Sequence, residues 1–216
     1  NRKEVAMCAT LLKYTATSKM RSKILCIDLE TTSCKVGTAE ILRCSILDGN
    51  GKSLFCECFK PIDTVKWSDA EKANGISPEQ VASCVSFLAE SEKVQRIIDK
   101  GDIIVTYCGT RFDIPILENY GISFANKMHY DVAEHFARYN GEILEGNDVR
   151  IRYRYKKLDY CGQKLGFPYE KLAELQNNAL FSTEITLYCF YRMLAIEQGN
   201  KKGGSKHEHD SCVCYC

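Results

Sequence analysis

Apolar positions along this chain fall first into a strand rhythm and then into a helical one. The segments "KILCID" (23–28), "EILRCSILD" (40–48) and "SLFCECF" (53–59) read as three strands, the last two joined by the turn "DGNG" at 48–51. Beyond them the period lengthens. Ser68 stands where it can cap a helix "DAEKAN" that stops at Gly75, and Ser77-Pro78 opens another. Phe87, Leu88, Val94, Ile97 and Ile98 recur at helical spacing before the stop at Gly101. "DIIVTY" (102–107) then has the continuous apolar character of a strand buried on both faces, the kind that joins a sheet in parallel.

Further helices are predicted over "FDIPILENYG", with Pro115 in its first turn, over "VAEHFARY", over "KLDYCGQKLG" (157–166) and over the long "ALFSTEITLYCFYRML" (179–194), with a short extended piece at Met128–Tyr130. Three strands, a helical stretch, a fourth strand and more helices make an α/β fold, a mixed β-sheet flanked by helices. Residues 1–20 are weakly patterned, with a short helix around Val5–Leu12. Residues 21–198 form the domain, and 199–216, "GNKKGGSKHEHDSCVCYC", have the composition of a mobile tail.

Composition narrows the possibilities. With 216 residues, 45% of them hydrophobic and 26% charged, the chain can bury one good core, and one domain is the default. A net charge of +1 removes any global electrostatic argument for nucleic-acid binding, so a basic surface has to be local. No apolar run approaches the ~20 residues of a membrane span, and no signal-peptide pattern opens the chain, which reads as soluble and cytoplasmic. The 13 cysteines are an odd number and sit largely inside apolar segments, as Cys26, Cys44, Cys56, Cys58, Cys108 and Cys189 do. That favours packed thiols in a reducing compartment over a disulfide framework.

The candidate chemistry begins at "ILCIDLETTS", where Asp28 and Glu30 stand two apart at the end of an apolar strand. On a strand these side chains share a face, and two like charges held that close need a neutralising partner. A hard divalent cation, Mg²⁺ or Mn²⁺, is the economical one; a solvated strand end is the plain alternative. Asp113, just past the buried fourth strand, adds a third acid at the carboxyl end of the sheet, where sites of open α/β sheets assemble.

Together "IDLETTS", the connecting pattern "EILRCSILDGNGKSLFCECFKP" with "ANGISPEQV", and "YCGTRFDIPIL" resemble the DEDD 3′→5′ exonucleases of DnaQ-like, ribonuclease-H-like fold. The similarity runs from about Lys23 to Leu194. The resemblance implies a two-metal Mg²⁺ or Mn²⁺ site in which Asp28, Glu30 and Asp113 are ligands and a DNA or RNA 3′ end is hydrolysed. Thr31, beside those acids, is a candidate nucleic-acid contact. The family's third motif departs from its pattern. "NNALFSTEIT" keeps Ala179, Leu180 and Thr186 but has Asn177 where the family has its His and Ser182 where it has its fourth acid. Glu184 is a poor substitute, since two residues along a helix is about 200° of rotation.

Asp131 is read as a helix N-cap, and Cys108, where relatives often carry Asn, as a packed thiol rather than a nucleophile. His129 and His135 are read as ordinary, and His207, His209, Cys212, Cys214 and Cys216 lack a structural-zinc spacing. "VRIRYRYKK" alternates Arg150, Arg152, Arg154 and Lys156 with Ile151, Tyr153 and Tyr155, a stripe that suits a nucleic-acid backbone or an ordinary solvated strand face. Two functions therefore stand side by side. One is a metal-dependent exonuclease with a weakened third motif. The other is a pseudo-exonuclease that binds nucleic acid or a partner protein, alone or within a larger parent chain.

Overall fold

The computed structural model describes residues 11–144, 152–172 and 180–201. After a short helix α1 (Ser18–Arg21), the strands β1 (Ile24–Thr31), β2 (Ile41–Asp48) and β3 (Ser53–Cys58) form an antiparallel meander. The β2–β3 turn is held by Asp48, whose carboxylate accepts the Asn50 and Lys52 N–H groups at 2.8 and 3.0 Å. Gly51 closes the turn at φ 80°, a region that favours glycine.

Three helices follow, α2 (Ser68–Asn74), α3 (Pro78–Val81) and α4 (Phe87–Ile98), and then β4 (Ile103–Thr106). Next come α5 (Asp113–Asn119), β5 (Met128–Asp131), α6 (Val132–Asn140), α7 (Leu158–Leu165), a 3₁₀ turn at Tyr169–Leu172 and the long α8 (Phe181–Lys201). The sheet order is β3-β2-β1-β4-β5, with β4 parallel to both β1 and β5. The short extended piece near Met128 is thus a parallel edge strand.

Alternation along β1 sorts the core into two layers. Leu25, Ile27 and Leu29 pack with Ile46, Phe55, Phe87, Val94, Ile98, Ile116 and Leu117 on the side covered by α4 and α5. Ile24 and Cys26 pack with Leu47, Val105, Phe136, Cys161, Ile185, Phe190 and Met193 on the side covered by α6, α7 and α8. Each such aliphatic or aromatic side chain contributes roughly 1.5–3 kcal/mol relative to an exposed one. None of the described cysteines is in a disulfide, and Cys26, Cys44, Cys161 and Cys189 are buried.

Four sequence expectations change. Ser68 is the first residue of α2 rather than its cap. Trp67 takes the cap position without a side-chain bond, because its ring is fixed by Leu42, Ile76 and Val81 and its indole N–H donates to the Ile76 carbonyl at 2.7 Å. By contrast, Ser77 forms the full capping box with Gln80. The long last helix continues past Leu194 to Lys201, since Ile196 packs on the core and the Glu197 carboxylate accepts the Tyr130 hydroxyl at 3.0 Å and meets His135 Nδ1 at 2.7 Å. Gly199–Lys201 therefore belong to a helix, and 202–216 lie outside the described residues, as do most of the Val5–Leu12 helix and Arg150. Residues 11–15 are helical, and Leu11 is buried in the α8 layer, so this part of the N-terminal segment packs with the domain.

Candidate functional site

The carboxyl ends of β1, β4 and β5 share one edge of the sheet with the start of β2 and the end of β3. Asp28 and Glu30 lie on β1 at this edge, on the face that carries Ile24 and Cys26 toward α8. Asp113 opens α5 and is buried, and its Oδ1 accepts the Leu29 backbone N–H at 3.0 Å. That bond pins Asp113 to the stretch of β1 between the other two acids. The structure thus brings Asp28 and Asp113 together.

Electrostatics agrees with this placement. Desolvation pushes the Asp28 carboxyl well above the usual carboxylate range, the charges of Asp113 and Glu30 push it the same way, and Arg43 pulls against them. Asp113 is raised too, chiefly by burial, with the Leu29 N–H opposing and Asp131 and Glu30 adding to the rise. Among the described residues neither Asp28 nor Asp113 forms an ion pair.

Burial raises the Glu30 carboxyl as well, but here Arg43 pulls strongly against the rise. Directly across the strand pair from it is Arg43 on β2, whose Nη2 lies 3.5 Å from Glu30 Oε1. Arg43 is in turn opposite Cys58 on β3, where its charge pulls against the rise that burial gives the thiol. Among the described residues no group of three His, Cys, Asp or Glu side chains is gathered at metal-holding geometry. With Glu30 engaged by Arg43, Asp28 and Asp113 are the two carboxylates at this edge that would hold a hard cation, whose other ligands would be water.

The loop that delivers Asp113 is organised by Asp131. As expected it caps α6, accepting Ala133 N–H at 3.1 Å. It also accepts the Cys108 and Thr110 N–H groups at 2.9 and 3.1 Å, tying the exit of β4 to β5. Cys108 sits at φ 59°, which explains why Asn, tolerant of left-handed backbone, suits this position. A Cβ on Gly109 would lie 2.6 Å from Asp113 Oδ2 and 2.4 Å from Thr106 Cβ, so the loop closes around the acid only with glycine there. A glycine at 109, directly after a buried strand and before an acid, is the signal that could have found this support; the Arg43 contact had none, because it depends on strand register.

Ser182 lies in the first turn of α8, next to Thr183, whose carbonyl accepts the Cys26 thiol at 3.4 Å. Since Cys26 precedes Asp28 by two residues on one strand face, the start of α8 lies beside the acid edge. Asn177 lies outside the described residues. Glu184 is raised by desolvation and joins no metal-holding group among the described residues. Thr31 is at the same edge, its hydroxyl donating to the Ser33 carbonyl at 2.8 Å and its own carbonyl accepting Asn74 Nδ2 at 3.2 Å.

Of the basic stripe, Arg152, Arg154 and Lys156 are described. Arg154 and Lys156 both pair with Glu142, at 2.7 Å in the case of Arg154, and Ile143 bridges Tyr153. The segment is half of a short antiparallel excursion, and one carboxylate offsets part of its charge. The Lys156 carbonyl accepts the Tyr107 hydroxyl at 2.7 Å, and Arg111 lies over the Tyr155 ring, which joins this excursion to the loop after β4.

No protein-family model matches the chain and no curated protein matches it in sequence. Solved structures do. E. coli exonuclease I in complex with a dA16 oligonucleotide matches with a TM-score of 0.59 at 17% identity, over 82% of this chain and 41% of that one. The fold is ribonuclease-H-like. Within that fold the zinc-ion-bound E. coli ExoI–ssDNA complex also gives 0.59, at 16% identity over 82% of this chain and 41% of that one. An ExoI/SSB-Ct complex gives 0.57 at 16% identity, over 83% and 42%. This chain therefore spans less than half the length of those exonucleases. No helix among the described residues is long and apolar enough to cross a membrane.

Proposed function

We propose that this chain is a 3′→5′ exonuclease-type protein that takes a nucleic-acid 3′ end at the edge formed by Asp28 and Asp113, with slow hydrolysis. The observation that carries the reading is the meeting of two desolvated carboxylates at the carboxyl edge of a ribonuclease-H-like sheet, each raised by burial and neither ion-paired among the described residues. A site that holds unneutralised acids together stores an affinity for a divalent cation. Mg²⁺ or Mn²⁺ there would polarise a phosphodiester and favour ionisation of an attacking water.

The chain's own residues set the rest. Leu29 N–H fixes the orientation of Asp113, Asp131 holds the loop behind it, and the Arg152–Lys156 segment supplies positive charge for a strand. The bound dA16 and ssDNA of the matching exonuclease I structures agree with a single-stranded partner.

A second reading, a pseudo-exonuclease that binds ends without cutting them, is favoured by Ser182 at the fourth-acid position and by the Glu30–Arg43 pair. The lack of a positioned base alone lowers a rate by ~10²–10⁴. Digestion of 3′-labelled single-stranded DNA and RNA with Mn²⁺ and with EDTA separates the two. Slow mononucleotide release with Mn²⁺ alone supports the enzyme, and retention of label with tight binding supports the binder. The absence of both release and binding overturns the proposal.

A further inference from the structure

Glu30, Arg43 and Cys58 are directly opposite one another across β1, β2 and β3, so the contact between the first two is imposed by sheet register. Both partners are largely withdrawn from water, with side-chain exposures of 24% for Glu30 and 19% for Arg43. The guanidinium is incompletely satisfied by its neighbours, because Arg43 Nε is buried and has no hydrogen-bond partner. Charge rather than fitted geometry therefore holds it at the acid edge.

We propose that Arg43 is the resident counter-charge of this site, holding Glu30 out of the ligand set so that one divalent cation, shared by Asp28 and Asp113, replaces two. This rests on the exonuclease-type reading of the edge. Charge balance points the same way. Four carboxylates with two divalent cations are neutral, and so are three carboxylates with one guanidinium and one divalent cation. The three acids here, with Ser182 in the fourth position, match the second arrangement. Ser182 in place of a fourth carboxylate and Arg43 beside Glu30 then offset one another, since either alone would leave the edge unbalanced. An arginine largely withdrawn from water beside Glu30 is also costly to remove, because losing one partner of such a pair leaves the other charge desolvated.

The test is calorimetric titration of the whole chain with Mn²⁺ in the absence of nucleic acid. Wild type takes up one ion. Glu30→Gln, which leaves Arg43 without its carboxylate, weakens uptake less than Asp28→Asn does, and Asp28→Asn weakens it by roughly tenfold or more. Arg43→Gln frees Glu30 and yields a second ion or roughly tenfold tighter binding, a gain that Glu30→Gln in the same background removes and that Arg43→Lys does not produce. Two ions in wild type, no uptake at all, or equal losses from Glu30→Gln and Asp28→Asn each overturn the proposal, and these comparisons stand even if Arg43→Gln does not fold. Because no nucleic acid is present, the ion count and the end-digestion assay fail independently. A single ion with no end binding rejects the functional reading alone, and two ions with digestion reject Arg43's role alone.

Discussion

Asp28→Asn should make the metal-free protein more stable, although it removes the residue most central to the site. The substitution keeps the side chain's shape and deletes one of two carboxylates that burial has brought together with Asp113. Each unit by which a carboxyl pKa is raised on folding opposes stability by about 1.4 kcal/mol once the group ionises, and fully buried groups can be raised by roughly 3–5 units. Asp28 keeps some solvent contact and Arg43 offsets part of the repulsion. The gain expected at pH 8 is accordingly on the order of 1–3 kcal/mol, which for a domain of this size is roughly 3–10 °C in Tm.

The sign with pH follows from the direction of both shifts. Folded Asp28 and Asp113 hold their protons more firmly than the unfolded chain does. Their favourable contribution is thus fully present below the unfolded value, near pH 4, and is lost as pH rises through the folded values. Thermal melts in EDTA at pH 5 and pH 8 should show a small difference between variant and wild type at the lower pH and a large one at the higher. Mn²⁺ at 100 times its Kd should stabilise wild type by about 2.7 kcal/mol and the variant far less. A variant that melts no higher than wild type at pH 8 in EDTA would refute the claim that the pair is unneutralised.

Asp131→Ala leaves the N–H groups of Cys108, Thr110 and Ala133 without their acceptor, and urea unfolding should report a loss of about 3–5 kcal/mol; a loss under 1 kcal/mol would mean the loop is held by other contacts. Cys108→Asn relieves a left-handed backbone at φ 59° and should raise stability by about 0.5–1 kcal/mol in the same assay, unless the thiol's packing outweighs the backbone term. Arg152→Ala with Arg154→Ala should weaken single-stranded oligonucleotide binding and flatten its salt dependence, and equal affinity at two salt concentrations would assign the segment to scaffold.

The elements that the sequence predicts well are those in which local pattern and tertiary environment agree. β1 to β4, α4, α6 and α7 each present a clean apolar face or a buried run, and the layers reuse those faces unchanged. Ser68 misleads because the cap position is decided by where the Trp67 ring is anchored, a contact with Leu42 that no local rule encodes. Past Leu194 the apolar spacing fades, and the extension of α8 is carried by Glu197 reaching Tyr130 and His135 on other elements. The acids at 28 and 113 were legible because one ends an apolar strand and the other follows a buried one. The engagement of Glu30 was not, because strand order and register put Arg43 opposite it. Side-chain chemistry at adjacent strands is the part of a site that a single sequence conceals most completely.

Building the third motif of the resembled family into the chain makes the balance at this edge testable in the opposite direction. Asn177→His with Ser182→Asp supplies a proton acceptor and a fourth carboxylate at the positions where the resemblance to the DEDD exonucleases implies them, with the start of α8 lying beside β1. A base in position is worth ~10²–10⁴ in rate. Yet the added carboxylate enters an edge where the charge of Asp113 already raises Asp28 and where Glu30 is still paired with Arg43. The double variant should therefore melt lower than wild type in EDTA, regain that loss with Mn²⁺, and release 3′-labelled nucleotide only slowly. Adding Arg43→Gln frees Glu30 for a second ion, so the triple variant should be faster than the double by roughly tenfold or more, and Glu30→Gln in that background should abolish the gain. A double variant as fast as the triple would show that Arg43 does not limit the site. A folded triple variant that binds Mn²⁺ yet releases nothing would show that the helix no longer presents position 182 to the acids, and the binding function would then be the better account of this fold.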